Sequence, residues 1–410
     1  MNGKPNVLLI ASRDSKELES NYIKDCLEGA GVNVYRLDFS IRRSVPGAEI
    51  MPEQVAQAVG QTLEQVRALK HEGRCLEVMI GGSVKCAQEL HQRVGLAGII
   101  GIGGSMGTTL SSVVMQSFPY GLPKVLISTM ASGMTKPFVG AMDIIMVNPV
   151  CDIAGLNSIT RGVYRQGALA VAAMARDYKP VVHEDKPLVT MTTLGTTDKC
   201  TVRIRHRLEE KGYEVMVFHT LGTGGNAMDK INSERAVAVA VDLSLVEVSE
   251  YLHGGLCSAG PDRCKAALAK GVPVIFAPGN LDFLVAGPLE TDAKVRFPGR
   301  RYHVHNAALT AVRAGLEEFH NDAVHMAGLI RDAKGPVAFY VPLQGFSSHD
   351  STEGHLHDPS LPPVFAKYLK EVIPAGAIVK ELPNHINDAE FADAIVEQVI
   401  AFSKQGNAKK

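Results

Sequence analysis

The sequence predicts an α/β protein with two Rossmann-like domains, each a mainly parallel sheet flanked by helices. Short β-branched runs alternate with longer amphipathic segments, which is typical of parallel strands joined by helices. The chain has 410 residues, which is more than one ordinary core accommodates. The alternation restarts after a charged segment with two prolines, residues 176–187, which we interpret as a linker. We therefore predict domains at residues 1–180 and 181–410, with a cleft between them.

In the first half, the predicted strands are PNVLLIAS, VNVYRLDFS, LAGIIGIG, KVLISTMA and DIIMVNPV. Helices are predicted at SKELESNYIKDCLEGAG, at residues 52–73, from about Thr108, and from Ala154 to about Asp177. The helix at residues 52–73 begins at a proline and ends at a glycine, as helices commonly do. The next stretch, RCLEVMIGGSVKCAQELHQRVG, leaves both helix and strand open.

In the second half, the predicted strands are LVTMTTLG, YEVMVFHTLG, AVAVAVDLSL, VPVIFAPG, PVAFYVPLQG and AIVKELPN. Helices are predicted at DKCTVRIRHRLEEKG, at PDRCKAALAKG, at residues 363–372 and at the end of the chain to about Ser403. Each half therefore repeats the same order of strand, glycine-rich turn and helix.

Composition narrows the function to small-molecule chemistry. The formal net charge is −1, so no overall basic field attracts nucleic acid or an anionic membrane. The seven cysteines include no C-x-x-C pair and are typical of reduced thiols in the cytoplasm. No apolar segment approaches the length of a membrane span. We expect a cytoplasmic protein with a small anionic ligand and neither a nucleic-acid nor a membrane partner.

The stretch GIGGSMGTT, residues 101–109, predicts an anion site. A strand that ends in glycines and opens a helix presents free backbone N–H groups at the positive end of the helix dipole. Glycines allow positive φ and close backbone approach, and nearby hydroxyls can donate hydrogen bonds. The predicted site residues are Gly103, Gly104, Ser105, Gly107 and Thr108. The stretch matches neither the Walker motif nor G-x-G-x-x-G. The alternative to an anion site is a tight strand-to-helix turn that binds nothing.

A second glycine stretch matches G-x-G-x-x-[GA] through Gly222, Gly224 and Ala227. It follows a predicted strand, and Asp242 ends the next strand, where its carboxylate could accept a hydrogen bond from a ribose hydroxyl. The pattern favours a nucleotide over a bare phosphate. A similar turn at residues 192–198 follows the first strand of the second half.

Other polar clusters leave their roles open. Residues 12–16 follow the first strand, where Lys16 could line the same crevice. In GRRYHVHN, residues 299–306, two arginines and two histidines form a basic segment with no nearby acid before Glu317, and we expect it to face the ligand. The two H-x-H pairs, at 303–305 and 355–357, lack a fixed carboxylate partner, so no metal site is predicted. No G-x-S-x-G motif supports a serine hydrolase.

Taken in order, several segments resemble one known family. These segments are GIGGSMGT, STMASG, DIIMVNPVCDIAGLNSITRGV, LGTT, GYEVMVFHTLGTGGNAMD, DLSLVEVSEYLHGGLCSAGPDR and GRRYHVHNAALTAVR. They resemble the Tm-one-like ATP-binding family, which is named for a plant virus-resistance protein. The resemblance implies two Rossmann-like domains, ATP or a related nucleotide with or without Mg²⁺, and a homo-oligomer, a dimer or larger.

The resemblance also implies site residues. In the first half these are Asp14, Lys16, Gly103, Gly104, Ser105, Gly107, Thr108, Thr129, Ser132 and Gly133. In the second half they are Thr197, Gly222, Gly224, Gly225, Asp242, Glu247, Asp282, His305, Asn306, Thr310 and Arg313. The chain departs from the family pattern at Glu17, where a glycine usually follows the lysine.

Three functions remain open at this point. The first is a nucleotide-binding enzyme that acts on a small anionic metabolite in the interdomain cleft, with His305, Arg313, Glu247 and Lys16 as candidate catalytic residues. The second is a nucleotide-dependent regulatory or interaction module without catalysis. The third, an NAD-dependent dehydrogenase, depends only on the second glycine stretch and Asp242.

Overall fold

The computed structural model describes residues 3–182 and 184–407. The chain divides into two compact units at residues 183 and 184, and each unit is described by itself. The boundary predicted from the sequence lies at residues 180 and 181. Both units are parallel-sheet α/β structures flanked by helices, which confirms the predicted fold class.

A five-stranded parallel sheet forms the centre of the N-terminal unit. Its strands are β1 (Asn6–Ala11), β2 (Asn33–Asp38), β3 (Leu96–Gly103), β4 (Lys124–Ser128) and β5 (Ile145–Val147). They lie in the order β2-β1-β3-β4-β5, and every neighbouring pair is parallel. Because β2 lies on one side of β1 and all later strands lie on the other, the chain changes direction between β1 and β3. Ligands of such sheets bind beside this switch point, outside the carboxyl ends of the strands.

Helices cover both faces of this sheet. They are α1 (Arg13–Gly29), α2 (Pro52–Gln57), α3 (Leu63–Ala68), α4 (Glu72–Val94), α5 (Ser105–Gln116), α6 (Lys136–Val139) and α7 (Ser158–Arg176). Alternate residues of β1 point to opposite faces, as the strand period of two requires. Leu8 and Ile10 pack in the core that includes α4 and α5, whereas Val7 and Leu9 pack with α1 and α7.

The prediction of one continuous helix over residues 52–73 is wrong. The chain forms α2 and α3 there, and α4 begins at Glu72. Gly60, in the turn that separates the two helices, has a φ of +76°. Thr62 then caps the second, because its side chain accepts from the N–H of Gln65 and the Gln65 side chain accepts from the N–H of Thr62. The stretch left open by the sequence is helical, since it lies within the long helix α4 except for its last residue, Gly95, which caps that helix.

The C-terminal unit contains a six-stranded parallel sheet and a small antiparallel sheet. The strands are β6 (Leu188–Thr193), β7 (Glu214–His219), β8 (Val237–Ser244), β9 (Val274–Gly279), β10 (Phe283–Ala286), β11 (Tyr302–Val304), β12 (Thr310–Arg313), β13 (Val337–Pro342) and β14 (Ile378–Leu382). The parallel sheet has the order β14-β13-β9-β8-β6-β7. Its switch point lies between β6 and β8, so it repeats the connectivity of the first sheet. The antiparallel sheet, β10-β12-β11, is an insertion between β9 and β13 that the sequence pattern does not predict.

Helices also cover the second parallel sheet. They are α8 (Asp198–Glu209), α9 (Gly224–Glu234), α10 (Val246–His253), α11 (Lys265–Lys270), α12 (Lys294–Arg296), α13 (Leu316–Arg331), α14 (Leu361–Val372) and α15 (Ala389–Asn407). One core cluster joins the sheet to α13 and α14, and the other joins it to α8 and α15. Both faces of the sheet are therefore buried, which explains the nearly continuous apolar runs in its strands.

Candidate functional site

A cavity of about 520 Å³ lies at the carboxyl edge of the N-terminal sheet, and we call it the N-terminal cavity. Its walls are the loops after β1 and β2, the segment around the start of α4, and the glycine loop after β3. The lining residues fall within 12–16, 39–42, 67–76 and 102–107. The cavity is thus lined by the two loops that flank the β1 and β3 switch point, where parallel α/β sheets bind ligands.

The loop after β1 is held by Asp14. Its carboxylate accepts a hydrogen bond from Ser12 Oγ at 2.7 Å and another from the backbone N–H of Arg42 at 3.1 Å. Lys16 lines the cavity, and its ammonium group donates to the backbone carbonyl of Ile153. Asp14 therefore joins the loops after β1 and β2, while Lys16 contributes a positive charge to the wall.

The glycines of the loop at residues 101–107 serve close packing rather than an unusual backbone conformation. None of them has positive φ, and Gly104 has a φ of −73°, so the expectation of positive φ is wrong here. A Cβ on Gly103 would lie 2.7 Å from the Cα of Gly107, because strand and helix meet closely at this point. Gly104 differs, since the nearest atom to its Cβ would be Thr129 Oγ1 at 4.0 Å. A side chain at Gly104 would therefore extend into open space.

Helix α5 begins at Ser105, earlier than the predicted start near Thr108. Gly104 precedes it and offers no side-chain hydrogen bond to its first turn. The first backbone N–H groups of a helix have no partner within the helix, and they lie at the positive end of its dipole. Ser105, Met106 and Gly107 of this turn line the cavity. The cavity wall therefore includes a helix terminus suited to an anion.

A cationic wall that none of the sequence motifs identifies also lines the N-terminal cavity. It consists of Arg42, Arg67 and Lys70, and His71 lies beside them in the lining. Lys70 adopts a left-handed φ of +49°, a conformation that costs free energy for a residue with a side chain. The ring of His71 accepts at Nδ1 from the N–H of Arg74 and so caps α4. The signal in the sequence was the run RALKHEG, whose basic residues directly precede the long helix.

The remaining predicted residues of this half lie on or beside β4. Thr108 is fully buried and its hydroxyl bonds to Ser128 Oγ at 2.5 Å, so it connects α5 to β4 instead of lining the cavity. Thr129 directly follows β4 at the same edge of the sheet, close to Gly104. Ser132 and Gly133 are exposed beyond it.

The second glycine loop, residues 222–225, is bonded to a carboxylate of its own unit. Glu247 is fully buried and accepts from the backbone N–H of Gly222 at 2.6 Å and of Gly225 at 3.0 Å. Gly224 begins α9, and a Cβ on it would overlap the carbonyl of His219. Backbone donors of this kind bind phosphate in dinucleotide sites. Here their partner is a carboxylate of the protein itself.

Asp242, the predicted ribose ligand, pairs with Arg263. The Nη1 and Nη2 atoms of Arg263 donate to the two carboxylate oxygens of Asp242, each at 2.7 Å, and Thr192 Oγ1 donates to the same carboxylate at 2.7 Å. Burial lowers the pKa of Arg263, but Asp242 and the other nearby acids raise it well above its usual value. Burial also raises the pKa of the neighbouring Asp229 to about 6. Asp242 therefore belongs to a buried ion cluster, and its geometry gives no support to dehydrogenase chemistry.

Thr197, which follows β6, is also internal. It is fully buried, and its hydroxyl donates to the carbonyl of Leu194 at 3.1 Å. The same hydroxyl accepts from the N–H of Leu194 at 3.2 Å. Thr197 therefore stabilises the turn between β6 and α8.

The basic segment at residues 299–313 is neutralised by acids from other elements. Arg300 pairs with Glu318 at 2.8 Å, and Arg301 pairs with Asp358 at 2.9 Å. Folding brings these acids to the segment from distant positions, so its arginines do not need a ligand to neutralise them. The expected position of the segment beside the ligand stays a prediction.

The predicted residues of this segment do not share one environment. His305 and Asn306 are exposed at the turn between β11 and β12, where Asn306 Oδ1 accepts from two backbone N–H groups of the turn. Thr310 and Arg313 are buried in β12. Asp282 is fully buried and accepts from a serine hydroxyl.

Imidazole rings cluster beside the antiparallel sheet. The Nδ1 atoms of His303 and His355 lie 2.7 Å apart, and the rings of His303 and His349 have centroids 4.2 Å apart. Burial and the neighbouring His303 lower the pKa of His349 to about 4. Within residues 3–182 and 184–407, no group of three or more histidine, cysteine or acidic side chains has an arrangement that could hold a metal ion.

Comparison with known proteins identifies the family. The model of the Uncharacterised protein family (UPF0261) N-terminal domain matches residues 5–180, and that of its C-terminal domain matches residues 186–403. The chain belongs to the UPF0261 family. A UPF0261 protein of Clostridium tetani is 33% identical over 399 residues, which cover 96% of this chain and 98% of that protein.

The UPF0261 chain is also similar to a plant protein. The ToMV resistance protein Tm-1(GCR237) of Solanum lycopersicum is 33% identical over 315 residues, which cover 75% of this chain and 42% of that protein. This similarity confirms the resemblance drawn from the motifs. A solved structure, a putative UDP-N-acetylglucosamine 2-epimerase from Listeria monocytogenes, matches with 11% identity and a TM-score of 0.21. It covers 67% of this chain and 79% of that one, and a score this low supports no conclusion about function.

Across the described parts of the UPF0261 chain, no helix combines the length and apolarity needed to span a membrane. The predicted oligomer, cytoplasmic location and interdomain cleft stay predictions.

Proposed function

We propose that this chain binds a nucleotide, ATP or a related one, with its phosphate groups in the N-terminal cavity. The resemblance of the motifs to the Tm-one-like ATP-binding family favours an adenosine nucleotide among possible anions. The charge and shape of the cavity support the same class of ligand independently of that resemblance.

The observation that carries the proposal is that a helix N-terminus and the cationic wall line one cavity. Lys16, Arg42, Arg67 and Lys70 contribute four positive charges to its lining, and Asp14 and Glu72 contribute two negative charges. The lining therefore has an excess of two positive charges. A wall of this sign attracts an anion, and the first-turn N–H groups of α5 would hold a phosphate through directed hydrogen bonds.

The rest of the lining suits the base and sugar of a nucleotide. Phe39, Ile41, Leu76 and Met106 supply apolar surface beside the charged groups. The volume of about 520 Å³ lies within the range of small-molecule and cofactor sites. A free phosphate would leave this apolar surface without a partner. A ligand that carries both phosphate groups and an apolar ring therefore fits the lining better.

Magnesium is compatible with the same wall. Asp14 and Glu72 are the carboxylates among the described lining residues, and carboxylate and phosphate oxygens are the ligands that Mg²⁺ prefers. In this proposal Asp14 would orient a bound Mg²⁺, which would supply positive charge to the nucleotide's phosphates.

The contacts of the candidate catalytic residues favour a protein that binds the nucleotide without catalysing a reaction. Of the candidate catalytic residues, Glu247 and Arg313 are buried with internal partners. Lys16 lines the cavity as a positive charge, and His305 lies on an exposed turn of the other unit. Phosphate release from ATP with Mg²⁺ would separate the enzyme alternative from the regulatory one.

The test is isothermal titration with ATP, and separately with NAD⁺, of wild type and Gly104→Val. The added side chain has room for folding, since its Cβ would lie 4.0 Å from the nearest atom, and Gly104 itself lines the cavity, so we expect the valine to take space from the ligand. We expect at least a tenfold loss of ATP affinity, on the order of 1.4 kcal/mol.

The matched control is Gly162→Val. Gly162 is an exposed glycine of α7 in the same unit, and a Cβ added to it would have no atom within 4 Å. This variant should bind ATP like wild type. Equal ATP affinity in folded Gly104→Val and wild type, or tighter binding of NAD⁺ than of ATP, would contradict the proposal.

A further inference from the structure

A second cavity, of about 800 Å³, lies at the carboxyl edge of the six-stranded sheet, and we call it the C-terminal cavity. Its walls are the loops after β6, β13 and β14, with lining residues within 195–199, 343–359 and 385–388. It shares no lining residue with the N-terminal cavity. Carboxyl-edge loops are where α/β sheets present binding groups, so this cavity has the position of a ligand site.

The loop after β13 is fixed by Asp350. This buried carboxylate accepts from the backbone N–H of Asp358 at 3.0 Å and of Phe346 at 3.4 Å, and it pairs with Arg313 at 3.1 Å. These contacts connect both ends of the loop to β12. A wall that is already ordered loses little conformational entropy when a ligand binds.

Two histidines line the C-terminal cavity, and their contacts give them different roles. His385 uses both ring nitrogens, since Nε2 donates to the carbonyl of Ser347 at 2.9 Å and Nδ1 accepts from the N–H of Asn387 at 3.1 Å. His357 uses one, because Nδ1 donates to the carbonyl of Asp350 at 2.9 Å. This contact places the ring proton on Nδ1 and leaves Nε2 as a hydrogen-bond acceptor. No described residue bonds to Nε2. His357 therefore gives this cavity a hydrogen-bond acceptor, Nε2, whose orientation is fixed by the contact at Nδ1.

The charges of the lining disfavour an anionic ligand. Asp198, Glu353 and Asp388 contribute three negative charges, against the single positive charge of Lys199. Asp198, Lys199 and Glu353 are exposed, where water and salt screen them. The carboxylate of Asp388 accepts from the backbone N–H of His385 at 2.7 Å.

The less exposed part of the lining is mostly neutral and polar. It includes the hydroxyls of Thr196 and Ser351, the amide of Asn387 and the ring of His357. The two hydroxyls and the amide already have internal hydrogen-bond partners, but each keeps a further donor or acceptor position. A ligand hydroxyl can fill such a position because it both donates and accepts. A neutral ligand with several hydroxyls matches them without the desolvation cost of burying a charge.

We propose that the C-terminal cavity binds a neutral polyhydroxylated small molecule, a sugar or sugar alcohol, and that His357 Nε2 accepts a hydrogen bond from one of its hydroxyls. This site is separate from the proposed nucleotide site. It gives the C-terminal unit a ligand of its own, different in charge from that of the N-terminal unit.

The test uses D-glucose, D-ribose and myo-inositol as probes, with glucose 6-phosphate as the matched anion. Saturation-transfer NMR and isothermal titration of the full chain should detect at least one neutral probe, with a dissociation constant on the order of 1 mM. His357→Asn keeps a donor for the carbonyl of Asp350 but removes the acceptor at Nε2. It should weaken binding about fivefold or more, the usual effect of one lost hydrogen bond.

Two further variants keep the test decisive. His320→Asn, on the exposed face of α13, should bind the probe like wild type. Thr352→Trp, at the exposed rim of the cavity, should abolish binding by filling it, even if His357→Asn fails to fold. The proposal is overturned if no neutral probe binds, if glucose 6-phosphate binds more tightly than glucose, or if folded variants at His357 and Thr352 retain wild-type affinity.

Discussion

Arg263 and Asp242 form a fork-to-fork ion pair in the buried centre of the C-terminal unit, with both N–H···O distances at 2.7 Å. The Nε atom of the same guanidinium donates to Glu247 at 2.9 Å, and Glu247 accepts from the glycine loop. One arginine therefore joins β8, α10 and the start of α9. Burial strengthens each of these contacts, and it also makes each charge costly to leave without a partner.

Replacing Arg263 should therefore destabilise the fold strongly. In Arg263→Leu, the carboxylates of Asp242 and Glu247 stay buried without their cation, and we expect a loss of about 3–5 kcal/mol in the free energy of unfolding. Urea unfolding measures it. The control is Arg203→Leu, which removes a partly exposed pair with Asp393 and should cost less than about 1 kcal/mol. Similar losses in the two variants would contradict the assignment of Arg263 as the central cation.

The glycine at position 225 is required by this cluster. A Cβ on Gly225 would overlap both the guanidinium of Arg263 and the carboxylate of Glu247. Gly225→Ala should lower the free energy of unfolding by about 1–3 kcal/mol through overpacking. The control, Gly328→Ala in α13, has open space around the new methyl group and should raise stability by about 0.5–1 kcal/mol, because alanine favours helix. Thermal unfolding of both variants checks the opposite signs.

The cationic wall of the N-terminal cavity should contribute to anion affinity. Arg42→Met keeps much of the length of the side chain but removes its charge, and we expect ATP to bind about fivefold more weakly. The dependence of affinity on salt should also become shallower, because fewer charges are in contact with the phosphates. Lys85→Met, an exposed lysine of α4 outside the cavity lining, is the control. The measurement is titration with ATP at two salt concentrations. If Arg42→Met and Lys85→Met had the same ATP affinity and the same salt dependence, the role of Arg42 would be rejected.

His349 should make the C-terminal unit sensitive to acid. Its folded-state pKa of about 4 lies below the unfolded value of about 6.5. As pH falls, the unfolded chain binds the proton first, so the stability present above pH 6.5 is lost as pH falls towards 4. His349→Phe, which retains an aromatic ring beside Phe283, should lose about 1–2 kcal/mol less than wild type between pH 7 and pH 5. Urea unfolding at both pH values checks this, and His320→Phe should follow wild type.

The sequence predicts the sheets well because burial on both faces leaves a strong local signal. Leu8 and its neighbours in β1 form one apolar run, since each successive side chain enters a core. The break between α2 and α3 was missed because the apolar period continues across Gly60 and Thr62, and the capping box at Thr62 was not considered. The antiparallel sheet was missed because its strands span only three or four residues and pair across a long insertion.

The candidate site was predictable only in part. Gly104 directly follows β3 and Lys16 lies in the first turn of the helix after β1, and the strand ends of a parallel sheet meet at one edge. Arg42 and Lys70 reach the same cavity through loop and helix geometry that no local pattern encodes. At the second glycine loop the sequence predicts a ligand site that the structure shows to be occupied by a side chain. The motif match does not reveal that Glu247, 25 positions from Gly222, accepts hydrogen bonds from the loop's own amides.

The repeated strand order of the two units has a consequence for stoichiometry. Each parallel sheet has a switch point with a glycine loop and helix N-terminus nearby, so symmetry alone would suggest two nucleotides per chain. In the second unit, however, the buried carboxylate of Glu247 already accepts from the loop amides. On the proposed function, native mass spectrometry should therefore count one ATP per chain, because the second half of the molecule supplies its own substitute for the phosphate.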